Sequence, residues 1–307
     1  MSLRGRLAAG EFAVTAEITP PRGASTESIT RAAALLRDWV DAVNVTDNQG
    51  ANVRLASWAG SLALLAAGVE PVMQMTCRDR NRIALQSDLL GASAMGVRNI
   101  LVMSGDHPSS GDHPEARGVF DLDSVHLLWT LRTMRDQRAL LSGRTLRPAP
   151  ECFLGAVENP FAPPVTFRAE RLGKKVAVGA QFVQTQFVFD VPAFARWMAQ
   201  VRDLGLDRRC AVLAGIGAVR SLRALEFMRD KVPGVHVPDE VYQRLRAVPA
   251  EKFAAAGVRL AAETVQRVRE IAGVAGVHLL AGGNEEAVPE ILALAELRAS
   301  GVRADGS

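Results

Sequence analysis

Short apolar runs rich in β-branched residues alternate with helical patterns along this chain, and this alternation constrains the fold more than any other feature. We predict eight strands, at residues 12–19, 42–48, 71–77, 99–105, 152–158, 182–189, 210–216 and 276–282. The segments between them place apolar residues at helical spacing, as in residues 26–40 and 191–205. Strands that alternate strictly with helices run parallel and are joined by right-handed crossovers. We therefore predict an α/β fold, a single (β/α)8 TIM barrel.

Two insertions lengthen the connections that follow the fourth and seventh strands. Residues 107–123 are rich in Gly, Pro, Ser and His, whereas residues 233–257 add helix before the eighth strand. Both follow the carboxyl ends of strands, which is the face where barrel enzymes build their active sites. No linker divides the chain, so we expect one catalytic domain over residues 1–300 and a disordered tail at residues 301–307.

The composition argues against several classes of partner. The formal net charge is only +3, and Lys and Arg are scattered, so we expect no nucleic-acid partner. No apolar stretch approaches the ~20 residues of a membrane span and no signal peptide is apparent, so we expect a cytoplasmic protein with no membrane partner. Cys77, Cys152 and Cys210 lie far apart and are expected to be core thiols, and the histidines show no metal spacing.

Polar side chains interrupt the predicted strands towards their carboxyl ends, although a strand covered on both faces should be apolar. Glu17 ends the first strand, Thr46 and Gln74 lie near the ends of the second and third, and Asp106 follows the fourth. A lone strand-end carboxylate is more often a helix cap or a loop anchor than a catalyst. Several polar groups at one barrel mouth favour a polar ligand, because burying them without partners costs roughly several kcal/mol.

The sixth strand carries the clearest of these interruptions. Side chains alternate with a period of two, so Gln184 and Gln186 share the face that points into the barrel. The opposite face, with Val183, Phe187 and Phe189, is mostly apolar and suits the layer of helices. A buried glutamine commonly satisfies backbone groups, but two of them at the mouth add to the case for a polar ligand site.

Motifs in five of these segments resemble methylenetetrahydrofolate reductase. They are AEITPPRG at 16–23, MTC at 75–77, SGD at 104–106, KKVAVGAQFVQTQFVFD at 174–190 and AGI at 214–216. Two further segments, ENPFAPP at 158–164 and GVHLLAGGNEEAVPEI at 276–291, look like the branch of that family found in acetogens and demethylating bacteria. The resemblance implies a flavin-bearing barrel of one-carbon metabolism that interconverts methylenetetrahydrofolate and methyltetrahydrofolate. It implies FAD, with FMN as the alternative, and NADH or NADPH as electron donor; we also expect a homo-oligomer.

The resemblance also implies roles for individual residues. Glu17 matches the family's acid, which helps to open the methylene bridge to an iminium ion. Asp106 matches a carboxylate near the flavin and the pterin, Gln186 matches the amide that holds the pterin, and Gln184 is expected to join it in binding the substrate. The positions expected to contact the cofactor are Thr46, Gln74, Ser104, Asp106, Gly155, Val157 and Lys175. Ring opening needs a donor that is protonated near neutral pH, and burial favours the protonated form of a carboxylic acid.

Departures from the family pattern leave two alternatives open. The family's histidine before the third-strand Leu-Thr-Cys is Gln74 here, and its tyrosine in the fifth strand is Val157. One alternative is therefore a flavin-independent reductase in which the nicotinamide reduces the folate directly. The other is a folate-binding subunit that needs an electron-transfer protein partner, because members of the similar branch often work with iron–sulfur partners and this chain has no cluster-binding cysteine motif.

Overall fold

The eight strands of the computed structural model, which describes residues 1–297, close into one barrel in sequence order. The strands are β1 Ala13–Ile18, β2 Ala42–Val45, β3 Pro71–Thr76, β4 Asn99–Met103, β5 Phe153–Glu158, β6 Phe182–Phe187, β7 Ala211–Ile216 and β8 Val274–Leu279. Neighbouring strands are parallel, and β1 pairs with β8 to close the barrel. The predicted TIM barrel is confirmed. The predicted tail, residues 301–307, lies outside the described residues.

Helices precede, connect and follow the strands of the barrel. They are α1 Leu3–Ala8, α2 Glu27–Leu36, α3 Ser57–Ala66, α4 Arg82–Ala94, α5 Ser124–Asp136, α6 Arg168–Ala177, α7 Val191–Asp203, α8 Leu222–Lys231, α9 Asp239–Arg246, α10 Ala250–Arg269 and α11 Ala287–Leu294. The start of α7 shows why the sequence folds this way locally. The Asp190 carboxylate accepts a hydrogen bond from the Ala193 N–H at 2.8 Å, and Pro192 suits the first turn because it needs no amide donor there.

The two predicted insertions differ in structure. The insertion after β7 forms α9 and the start of α10, as predicted. The insertion after β4 is irregular apart from a short 3₁₀ turn, Pro108–Ser110. Side chains hold this loop over the barrel mouth: Asp112 accepts from the Val53 N–H, and Asp121 pairs with Arg82 at 2.8 Å. The insertion is therefore anchored to the connections that follow β2 and β3.

Several strands end earlier than the sequence predicts. The second strand stops at Val45 rather than at residue 48, because Asn48 adopts a positive φ of 47° and the chain turns into the 3₁₀ segment Gln49–Ala51. The sixth strand shifts register between Gln184 and Phe187, so that Phe187 pairs with Gly215. The strict alternation predicted for residues 182–189 is therefore wrong beyond Gln184, since a bulge moves the following side chains.

The barrel interior is apolar at the end where the strands begin. The buried side chains of this floor are Leu3, Ala13, Ala42, Val72, Leu101, Phe153, Phe182 and Leu213. Phe153 and Phe182 stack with their centroids 5.0 Å apart, and Gly155 is required beside them because a Cβ there would lie 2.2 Å from the Phe182 ring. Leu3 comes from α1, which thus closes the floor. The polar interior residues lie above this layer, towards the carboxyl ends of the strands.

The three cysteines are buried, which confirms the prediction of core thiols. Burial raises the pKa of Cys77 and of Cys210 to about 12 and that of Cys152 to about 11. Because the thiolate is the reactive form, we expect a disulfide reagent to modify none of them in the native protein at about pH 8 and all of them in urea. Stoichiometric labelling followed by absorbance checks this. A thiol that reacts within seconds in the native protein would contradict the burial.

Two features are absent from residues 1–297. No helix in that part of the chain is both long and apolar enough to cross a membrane. The same residues contain no group of three or more His, Cys, Asp or Glu side chains arranged to hold a metal ion.

Candidate active site

A network of hydrogen bonds fills the barrel interior directly above the apolar floor. Asn44 on β2 and Gln184 on β6 face each other across the barrel and exchange amide hydrogen bonds of 2.6 and 3.1 Å. The Gln184 Nε2 also donates to the Thr15 Oγ1 of β1 at 3.1 Å, and Thr15 lies 2.9 Å from the Nδ1 of His278 on β8. All four side chains are buried. The predicted inward orientation of Gln184 is confirmed, and its amide is already fully engaged with protein groups.

Glu17 lies one layer above this network, near the mouth. Its side chain is buried, with the residue 6% exposed, because β1 holds it between β2 and β8. The basic group that faces it is His278, whose Nε2 lies 3.7 Å from the Glu17 Oε2. Glu17 therefore combines a carboxyl group, near-complete burial and a position at the carboxyl end of a strand, the combination that a general acid requires.

Asp47 ties the ends of β2 and β3 together and is not available for chemistry. Its carboxylate accepts from the backbone N–H of Thr76 at 2.8 Å and from the Thr76 hydroxyl at 2.9 Å, and it pairs with Arg80. The neighbouring Thr46 is held by its backbone N–H, which donates to the Ile18 oxygen. The Thr46 hydroxyl is buried and has no hydrogen-bond partner. It is thus a polar atom at the mouth that a ligand would satisfy.

The turn after β4 carries Ser104 and Asp106, both of which are exposed. Between them, Gly105 adopts a φ of +87°, and a Cβ there would lie 3.1 Å from the Thr76 side chain, so glycine permits this close turn. Arg78, which is buried, donates to the backbone oxygen of Asp106 at 3.4 Å. The Asp106 carboxylate itself faces solvent at the rim of the mouth, and no contact joins it to Glu17 in the described residues.

Lys175 on α6 is buried against the end of β5. Its ammonium group pairs with Glu158 at 2.7 Å and also donates to the Val157 backbone oxygen. Burial lowers the pKa of Lys175, and the attraction of Glu158 opposes that shift. Arg168 and Arg171 each lie 3.9 Å from the same carboxylate. Lys175 is therefore part of an internal ion-pair cluster.

Two further predicted positions on the strands lie at different depths. Gln74 on β3 is buried near the mouth. Gln186 on β6 is half-buried at the bulge, and its Oε1 accepts from the backbone N–H of Phe187 at 3.1 Å. The bulge thus separates Gln186 from the interior network that Gln184 joins. The ring of Phe187 lies against Gly217, where a Cβ would be 2.4 Å from its Cε1 atom.

Sequence reasoning missed three members of the interior network: Thr15, Asn44 and His278. Each lies on the inward face of its strand, two residues from a small or apolar side chain of the same face, as Asn44 follows Ala42. A period-two search for polar residues inside strands, in addition to their ends, would have found them. Their signal was weak because each lies within its strand and not at the carboxyl end, where polar residues were sought.

The family model for methylenetetrahydrofolate reductase matches residues 2–296 of the chain. A relative from Caenorhabditis elegans, described as a probable methylenetetrahydrofolate reductase (NADPH), is 24% identical over 79% of this chain and 35% of its own length. The 5,10-methylenetetrahydrofolate reductase of Pectobacterium carotovorum subsp. carotovorum is 26% identical over 75% of this chain and 72% of its own. The chain thus spans about a third of the longer relative.

One solved structure resembles the barrel along nearly its whole length. It is an uncharacterised protein from Clostridium thermocellum, described as binding two copies of 5-methyl-5,6,7,8-tetrahydrofolic acid. The TM-score is 0.67 at 13% sequence identity, and the match covers 95% of this chain and 97% of that one. At this identity the similarity establishes a shared fold.

Proposed function

The chain belongs to the methylenetetrahydrofolate reductase family, and from this premise we propose that it transfers hydride reversibly between a reduced flavin and methylenetetrahydrofolate, giving methyltetrahydrofolate. The observation that carries the proposal is the family match over residues 2–296 combined with a buried carboxyl group, Glu17, at the barrel mouth. The electron donor that we propose is NADH or NADPH.

Glu17 supplies the proton that opens the folate's methylene bridge. The proton moves from the Glu17 carboxyl group to a bridge nitrogen, the bond between that nitrogen and the methylene carbon breaks, and an iminium ion forms with the carbon as electrophile. Exclusion of water from the buried site keeps the iminium ion from hydrolysis. Gln186 and Gln184 lie on the same strand, and we propose that Gln186, at the rim, binds the pterin while Gln184 shapes the layer beneath it.

The residues at the mouth fit a bound flavin at one point in particular. The Thr46 hydroxyl is buried without a partner, which costs about 1–3 kcal/mol and favours a ligand that accepts or donates a hydrogen bond there. We propose that Thr46, Gln74, Val157 and the Ser104–Asp106 turn surround the cofactor, and that Gly155 lies beneath it. When bound, the flavin supplies the hydride, and the protein supplies orientation and electrostatics.

The absorption spectrum of the purified protein tests the proposal. We expect a yellow protein with flavin bands, which 5-methyltetrahydrofolate reduces and methylenetetrahydrofolate reoxidises without oxygen. Thr46→Val, which keeps the side-chain shape, should weaken flavin binding by about tenfold, because one hydrogen bond is worth about 1 kcal/mol or more. Protein that is colourless and cannot be reconstituted with FAD or FMN would contradict the flavin-dependent form.

The ammonium group of Lys175 is already paired within the protein, and this observation favours the flavin-independent alternative. The resemblance implies that Lys175 contacts the flavin, but Glu158 and Val157 hold its ammonium group here. If flavin-stripped protein reduces methylenetetrahydrofolate with NADH, direct nicotinamide chemistry replaces the flavin. If turnover requires an artificial one-electron donor and fails with both nicotinamides, the chain is the folate-binding subunit of a system with an electron-transfer partner.

A further inference from the structure

A cavity of about 740 Å³ lies at the end of the barrel where the strands begin, opposite the mouth that holds Glu17. Its walls include Pro71, Asn99 and Phe153, which are the first residues of β3, β4 and β5. Small-molecule sites commonly have volumes of about 300–1,000 Å³. The cavity is therefore large enough for a ligand, and it is separate from the candidate active site.

One wall of this cavity is formed by an unusually long connection. Residues 137–152 join α5 to β5, whereas residues 67–70 are enough to join α3 to β3 at the same end of the barrel. The long connection is held in place, since the Leu141 N–H donates to the Gln86 Oε1 at 2.9 Å. In a compact domain, an ordered connection of this length is commonly functional.

The cavity carries more positive than negative side chains. Glu151 pairs with Arg98 at 3.2 Å, and Asp136 pairs with Arg135. Within residues 1–297, neither a hydrogen bond nor an ion pair engages the guanidinium group of Arg4 or of Arg138. Two cations are thus available to an anion that enters the cavity. The charged residues that line it are Arg4, Arg98, Arg135, Arg138, Glu70 and Glu151.

A buried amide oxygen in the same cavity has no partner. Asn99 is only 1% exposed, and its Nδ2 donates to the Glu70 Oε1 at 2.7 Å and to the Pro71 backbone oxygen at 3.0 Å. The Asn99 Oδ1 is also buried, but it accepts no hydrogen bond from the described residues. An acceptor left in this state costs free energy, which a donor on a ligand would recover.

We propose that this cavity binds a nucleotide, which combines a phosphate with a planar base that carries hydrogen-bond donors. The phosphate pairs with Arg4 and Arg138, since a dianion balances two guanidinium groups and each of them can bind two of its oxygens. An amino or hydroxyl group of the ligand donates to the Asn99 Oδ1, and the base packs against Phe153 and Pro150, which also line the cavity. Binding here does not depend on the proposed folate reduction.

Titration calorimetry of the full chain with AMP, inorganic phosphate and adenosine tests the proposal. We expect AMP to bind at least about tenfold more tightly than either of the other two, because only AMP has both the charge and the base. Arg4→Gln and Arg138→Gln should each weaken AMP binding by about tenfold or more, the usual effect of losing a charge-assisted hydrogen bond. Both positions are exposed, so the fold should persist, which circular dichroism checks. Arg144→Gln lies on the same connection but outside the cavity and serves as the matched control, with binding unchanged.

The variants also distinguish this cavity from the barrel mouth. If AMP binds at the mouth instead, Thr46→Val weakens its binding and the two arginine variants do not, which would overturn the proposal. Absence of AMP binding, or binding of inorganic phosphate as tight as that of AMP, would overturn it as well. Failure of the wild-type protein to reduce folate would count against the proposed function alone, because AMP binding is measured without any folate.

Discussion

Replacing Glu17 with glutamine is expected to slow the reduction of methylenetetrahydrofolate by at least about 100-fold, the usual effect of losing a general acid. Glutamine keeps the size of the side chain and its hydrogen-bonding capacity, but it has no proton to give to the bridge nitrogen. Reduction of the enzyme by its electron donor should be nearly unchanged, because no folate proton transfer occurs in that half-reaction. Stopped-flow absorbance of the two half-reactions measures both effects.

The control for this variant is its stability, since Glu17 is buried at a strand end beside the Pro20–Pro21 turn. If Glu17 only anchored that turn, the variant would lose stability and both half-reactions together. A folded Glu17→Gln protein that reduces methylenetetrahydrofolate at close to the normal rate would refute the assignment. Glu17→Asp, which keeps the acid but shortens the side chain, should retain more activity than the glutamine variant.

Removing the charge of Glu158 is expected to destabilise the fold by about 3–5 kcal/mol, as for other buried ion pairs that lose one partner. Glu158→Gln leaves the ammonium group of Lys175 buried, with Arg168 and Arg171 nearby and no carboxylate to balance them. Lys175→Met should cost less, because the two arginines still lie beside Glu158. Urea unfolding of the two variants, followed by circular dichroism, gives their free energies of unfolding and tests this order.

A double variant and a peripheral variant complete the test. Glu158→Gln with Lys175→Met should cost less than the sum of the single changes, because each single change already breaks the ion pair between these two residues. Arg171→Met, at an exposed position, should cost under about 1 kcal/mol. The flavin content of purified Lys175→Met tests whether Lys175 also contacts the cofactor. An unchanged content would assign Lys175 to the fold alone, and a reduced content would support the predicted contact.

The fold was predictable because its signals are repeated along the chain. Eight apolar runs alternating with helices leave few topologies, and small errors at one boundary do not disturb the others. The boundaries themselves depend on local geometry: the positive φ of Asn48 ends β2 early, and although asparagine favours this conformation, the residue type alone does not fix it. The bulge after Gln184 was not predictable either, since it depends on how β6 pairs with β7.

The sequence predicted where the site lies better than it predicted the contacts within it. Residues at strand ends, such as Glu17 and Thr46, were identified because polarity there is unexpected in a parallel barrel. Contacts between them were not predictable, because they depend on strands far apart in sequence. The Asp106 carboxylate faces solvent and His278 lies opposite Glu17, and neither position follows from the sequence alone. The resemblance to a family supplies roles for residues, but it does not supply these neighbours.

Closure of the barrel by the pairing of β1 with β8 also sets the order in which the protein can mature on the ribosome. Thr15 and His278 are 263 residues apart, so the acid on β1 has no partner until translation has produced the last strand. Contacts of such long range delay folding, and until they form, β1 and β7 present unpaired backbone groups. A nascent chain that stalls before Val274 would therefore expose two strand edges to other chains, which makes aggregation and capture by chaperones the expected fate of incomplete copies.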